Sequence, residues 1–171
     1  MALLDALLAI ITNPAVIIPA SAWIIAQILK AIINACVTKQ FSFSRLVGDG
    51  GMPSGHSATV AAVAFTSGWM MGYDSVVFAV SAILAIIVMH DAMGIRREAG
   101  KQAASIKQIA ELINELVEEK DDVVRTDKLK ELVGHTPLQV ILGGLLGVAI
   151  GVASVLIFGT EYGSGVFSVF A

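Results

Sequence analysis

Four stretches without a single Asp, Glu, Lys or Arg, residues 6–29, 57–73, 75–89 and 132–160, dictate what this chain can become. Stretches of this length suit a lipid bilayer, whose hydrocarbon core takes about 20 mostly apolar residues of helix. Inside that core no water can satisfy backbone N–H and C=O groups, so a spanning segment must bond its own backbone, which a helix does. Only 15% of the residues are charged and 56% are hydrophobic, against about 25% charged in a soluble domain. The chain therefore reads as an all-α integral membrane protein, one helical bundle over residues 1–171 with about four full spans.

Breakers and caps place the spans. Residues 1–12 are apolar but short, carry Asp5, and end at Asn13-Pro14, so they form a partial or interfacial helix. Full spans are expected at Pro14–Val37, Ser54–Met71, Ser75–Ala92 and Pro137 to about Phe158, with Lys30 able to snorkel to the surface. Thr136 is placed to cap the last span and Pro137 to begin it. Ala58, Ala61, Ala62, Ser67 and Gly68 in the second span, and Gly143, Gly147 and Gly151 in the last, are small enough for close helix contact. Between the third and last spans lies an inserted hydrophilic segment at about 94–134. In it Ile106, Ile109, Ile113 and Leu116 recur at helical spacing among charges, an amphipathic helix suited to lie on the protein or on the lipid surface.

Chemistry concentrates at the start of two spans. Gly50-Gly51-Met52-Pro53-Ser54-Gly55-His56-Ser57 reads as a tight loop opening into a helix, with Ser54, Gly55 and His56 at its first turn. Helix N-termini attract anions through their unbonded N–H groups and the macrodipole. His135 stands just before the last span. Since the second span leaves the His56 side, the third returns and the last leaves again, both histidines fall on one membrane face. Asp91, Arg96 and Arg97 at the end of the third span share that face, as do Lys39, Arg45, Lys128 and Lys130. Two histidines, two helix starts and several cations suit phosphoryl transfer: one imidazole attacks phosphorus, the other protonates the leaving oxygen, and the cations hold the phosphate. Three histidines without a tight His/Asp/Glu cluster do not suggest a metal, and no cofactor is expected. A net charge of −3 gives no footprint for nucleic acid, and the lone Cys36 excludes an internal disulfide.

Gly51 to Ser57 resembles the second motif of the type 2 phosphatidic acid phosphatase superfamily, relatives of the vanadium haloperoxidases. Lys130 to Gly143 resembles its third motif, and Val88 to Arg96 followed by Ala99 to Ala103 is similar to a stretch of its divergent bacterial and plant branch. The resemblance covers about residues 27–155 and implies a lipid-phosphate phosphatase on a helical bundle. In it His135 is the nucleophile, His56 the general acid, and Ser54 and Gly55 bind phosphate, with Arg96, Lys101, Lys130, Arg45 and Lys39 as candidate cations. The chain departs from the pattern at three places. Lys39 and Arg45 are one residue closer than the first motif requires and lack its proline; Lys130 replaces an Arg and stands one residue closer to the histidine; Gln139 stands where an Asp would orient it. Asp91 is a candidate substitute carboxylate, or else a partner of Arg96 or Arg97, and His90 is read as structural.

All 11 Lys and Arg lie between Lys30 and Lys130, on the histidine side, while the opposite side has only Asp5, Asp74 and Glu161. Positive residues mark cytoplasmic loops, so a multi-pass protein of the cell (inner) membrane with its site open to the cytoplasm is expected. The expected partners are the bilayer and a membrane lipid phosphate. Two other classes stay open: a non-catalytic lipid-phosphate binder or transporter, and a membrane scaffold whose segment 96–120 docks a partner. The head group, the chain and any homo-oligomer are not readable from these residues.

Overall fold

The computed structural model describes residues 3–39, 51–116 and 134–162. They form six helices and, among the described residues, no strand: α1 (Leu3–Ile11), α2 (Pro14–Thr38), α3 (Gly55–Met71), α4 (Val76–Met93), α5 (Ile95–Leu116) and α6 (Pro137–Tyr162). Local chemistry sets most of the boundaries. Asn13 caps α2 by accepting from the Ala15 N–H at 2.9 Å, and the fixed φ of Pro14 opens the helix. Ser54 and Ser75 cap α3 and α4 in the same way, through the N–H groups of Ser57 and Phe78.

α3 is the axis of the bundle and packs against α2, α4 and α6. Its side chains explain why: Ala58, Ala62, Ser57 and Thr66 are fully buried, and none is large. Ala22 and Ala26 of α2 meet Ala58 and Ala62 of α3, with Ile18 and Trp69 completing the same cluster. On the other side, the glycine ridge of α6 lies directly on α3. A Cβ at Gly143 would strike the Ser54 carbonyl, one at Gly147 the Ala58 carbonyl, and one at Gly151 the Phe65 ring at 2.5 Å. Both series advance together, 54–58–65 against 143–147–151, so α3 and α6 run parallel. α2 and α4 run antiparallel to α3: Trp23 and Lys30 of α2 lie against Gly55 and Gly51 in reverse order, and Ser81 bonds Ser67 across the α3–α4 hairpin at 3.2 Å.

Three helical runs are long and apolar enough to cross a membrane: Pro14–Thr38, the run Val76–Leu116 that begins with α4, and Pro137–Ile157. The fourth expected span is α3, and its 17 residues rise about 25 Å, short of the ~30 Å hydrocarbon thickness. It packs against α2, α4 and α6, and eight of its residues are buried. The outer faces of the longer helices carry the exposed apolar residues, such as Ile24 and Ile28 on α2, Val80, Ile83 and Ile87 on α4, and Ile141, Leu145 and Val152 on α6. Among the described helices α1 packs on α2 alone, and its leucines and isoleucines are exposed.

α5 matches the expected amphipathic helix through Leu116, and residues 117–120 of the expected segment lie outside the described part. It packs against α4 and no other described helix, with Ala103 and Ala110 buried and Ile106, Ile109, Leu112, Ile113 and Leu116 exposed.

Candidate phosphate site

The antiparallel order brings the start of α3, the end of α4 and the start of α6 to one end of the bundle. Two backbone bonds tie them. The Ser54 N–H donates to the Gln139 carbonyl at 3.0 Å, and the His135 N–H donates to the Ala92 carbonyl at 2.9 Å. Gly134, with φ +100°, lets the chain turn into His135 in a region where a side chain would strain the backbone. The result sets His56 and His135 side by side, ring centroids 6.2 Å apart and planes inclined by 58°. His135 is buried, at 3% exposure, and His56 is half-buried. One tetrahedral phosphoryl group can reach both rings, and the N-termini of α3 and α6 run parallel beside it.

Hydrogen bonding assigns the His135 tautomer. Thr136 and Gln139 form a reciprocal cap: the Gln139 N–H donates to Thr136 Oγ1 at 3.4 Å, and the Thr136 N–H donates to Gln139 Oε1 at 3.0 Å. A backbone N–H can only donate, so the Gln139 atom facing it is the amide oxygen. His135 Nδ1 lies 3.3 Å from that same oxygen. In the neutral ring Nδ1 must then carry the proton, and the lone pair sits on Nε2. Gln139 thus holds the ring from the position where an orienting residue was expected.

The other expected residues fall in different places. Ser54 is fully buried, and its hydroxyl is engaged in capping: it accepts from the Ser57 N–H at 3.3 Å and pairs with the Ser57 hydroxyl at 3.0 Å. Gly55 is the first residue of α3, where a Cβ would lie a tight 3.2 Å from Trp23 Cδ1. Asp91 is half-buried in the last turn of α4, next to Ala92, whose carbonyl holds His135. Lys101 is exposed and paired with Glu98 on α5, the helix that packs on α4 alone. Lys39 ends α2 in a left-handed turn (φ 54°) and is exposed. Arg45, Lys128 and Lys130 lie outside the described residues, as does the side chain of Arg96.

Lys30 requires a correction. The snorkelling expectation assumed that it faces lipid, but it is 3% exposed, on the α2 face turned toward α3. Its stem passes Gly51 so closely that a Cβ there would lie 3.0 Å from Lys30 Cγ. Gln27, one turn earlier, is also buried, and its Nε2 lies 3.8 Å from the Cβ position of Gly55. Sequence reasoning passed over Gln27 and assigned Lys30 to the lipid surface. The available signal was spacing: Gln27 and Lys30 stand at i and i+3, so they share one face of a mostly apolar helix.

Residues 11–150 match the divergent PAP2 family. The chain is also 41% identical over 145 residues to the uncharacterized membrane protein YuiD of Bacillus subtilis (strain 168), covering 81% of this chain and 92% of that protein. No solved structure matches.

Proposed function

Because the chain belongs to the divergent PAP2 family, we propose that it is a metal-independent lipid-phosphate phosphatase working through a phosphohistidine. The observation that carries this reading is the His56–His135 pair at 6.2 Å, set between two parallel helix starts. Nε2 of His135 attacks phosphorus; the N–P bond forms as the P–O bond to the lipid breaks. His56, entering as imidazolium, gives its proton to the leaving alkoxide. Neutral His56 then takes a proton from water, whose oxygen attacks phosphorus, and the N–P bond breaks to release inorganic phosphate and restore His135. The first-turn N–H groups of α3 bear the charge on the transferring oxygens. The distribution of Lys and Arg supports a site facing the cytoplasm in the cell membrane, with the substrate in the inner leaflet.

Gln139 favours a second reading, a lipid-phosphate binder without turnover, because a neutral amide orients the ring but adds no charge to stabilise imidazolium. Purified protein incubated with a panel of lipid phosphates in the presence of EDTA separates the two. Release of inorganic phosphate, lost in both His56→Ala and His135→Ala, is the expected result. Saturable lipid binding with no release would establish the binder instead.

A further inference from the structure

Helices wall α3 on three sides, and the fourth side is open. Gly55 and Ala62 face α2, Ser54 and Phe65 face α6, and Ser67 bonds α4. Successive residues of a helix step around its axis by about 100°. On that count His56, Thr59, Val63 and Met70, at i, i+3, i+7 and i+14, form one stripe that falls between the α2 and α4 faces and away from α6. All four are half-buried. Among the described residues α6 touches both α2 and α4, whereas α2 and α4 do not touch each other, so nothing described closes the stripe. The gap between α4 and α6 does not reach the histidines in the same way. It is shut at their end, where Met89 Sδ lies 3.6 Å from the Gly144 Cβ position and the His135 N–H bonds the Ala92 carbonyl.

We propose that the groove between α2 and α4, floored by Thr59, Val63 and Met70, holds the hydrocarbon chain of the lipid phosphate, which enters sideways from the bilayer and brings its phosphate to His56. This rests on the phosphate-site reading above and adds to it the place where the chain lies. Both rims of the groove belong to helical runs long and apolar enough to cross a membrane, with isoleucines and valines on their outer faces. The groove is therefore continuous with the lipid-facing surface. Its chemistry changes along its length. His56 stands at one end; the Thr59 hydroxyl is spent on the Gly55 carbonyl at 2.8 Å; Val63 and Met70 are apolar. From His56 to Met70 the stripe rises about 21 Å. An occupant must be polar at one end and a long hydrocarbon beyond it. Lipid tails outside are as apolar as the groove, so packing against the floor decides which chain it keeps.

The test is photocrosslinking of the purified full chain in detergent. The photoreactive residue p-benzoylphenylalanine is placed at Val63 or Met70, or at Leu145 on the exposed face of α6, and each protein is irradiated with radiolabelled long-chain phosphatidic acid. Labelling at Val63 and Met70 is expected to be displaced by unlabelled phosphatidic acid at a concentration at least about tenfold lower than by phosphatidylcholine, and labelling at Leu145 to be diluted equally by both. Equal dilution at Val63 and Met70 makes the stripe ordinary lipid-facing surface and overturns the groove, as does a crosslink from either position to a second copy of the chain. A kinetic arm reads the same groove. Val63→Trp should lower the ratio of kcat/KM for long-chain over short-chain phosphatidic acid by about tenfold, because the added ring overfills the floor; Leu145→Trp should keep the wild-type ratio. An unchanged ratio in folded Val63→Trp overturns the groove. If Val63→Trp does not fold, as judged by thermal unfolding and gel filtration, the crosslink at Met70 decides. The two readings fail separately. Selective capture at Val63 and Met70 without turnover sinks the phosphatase and leaves the groove standing. Turnover of long-chain phosphatidic acid with equal dilution at both positions sinks the groove alone.

Discussion

The Gln139 amide oxygen does two jobs with one atom: it caps α6 through the Thr136 N–H and holds His135 Nδ1. Replacing it with Leu removes both. The lost cap costs about 1 kcal/mol of stability, and the freed ring should lower kcat about tenfold or more, roughly 1.4 kcal/mol of barrier. Gln139→Glu keeps an acceptor in place and adds a charge that stabilises imidazolium, so it should retain or raise kcat. Steady-state kinetics of the two variants beside thermal unfolding separates the cap from the catalytic effect. A fall in stability with unchanged kcat in Gln139→Leu would show that the contact with His135 is only structural. The residue scale is also where the sequence was most misleading. Gln139 stood out as a departure from a motif, whereas its reciprocal bond with Thr136 is a local pattern that any Thr-x-x-Gln can make. Lys30 was misread because a Lys in an apolar helix looks alike whether it faces lipid or protein, and only the packing of α2 on α3 distinguishes the two.

Helix boundaries were legible because caps and breakers are local: Asn13-Pro14, Ser75 and Thr136-Pro137 each start a helix where the sequence places one. The glycine ridge was legible as a close-contact face, but its partner was not, since spacing along one helix says nothing of which helix lies against it. The structure supplies α3, and with it the parallel pairing that sets His135 beside His56. Gly147 is the tightest point of that pairing, its missing Cβ lying against the Ala58 backbone. Gly147→Leu must push the helices apart, which should cost on the order of 1–3 kcal/mol or more and widen the histidine separation. Thermal unfolding in detergent, with Ala149→Leu on the exposed face of the same helix as control, measures it. Equal stability in the two variants would contradict the proposed register.

At the scale of the whole molecule, three catalytically suggestive ends, the start of α3, the end of α4 and the start of α6, converge because the helices alternate in direction, a consequence of parity that the hydrophobic pattern carried from the start. What the pattern did not carry is that the second span is an enclosed axis, too short to be judged by lipid thickness. Orientation is the property of the whole chain still to be measured. With Cys36 replaced by Ser, a cysteine introduced at Glu111 on α5 should resist an impermeant maleimide in intact cells and react after lysis. One at Asp74, at the other end of the bundle, should react in intact cells. The reverse pattern would place the histidines outside and the substrate in the outer leaflet.

The most direct test of the central claim is to trap the covalent intermediate. Protein mixed with a phosphate-labelled lipid phosphate in EDTA and quenched in alkali should carry an acid-labile, base-stable phosphoryl group on His135. His56→Ala should slow its formation, and His135→Ala should abolish it. Phosphate release by the wild type with no label on His135, or a label that survives in His135→Ala, would contradict the mechanism.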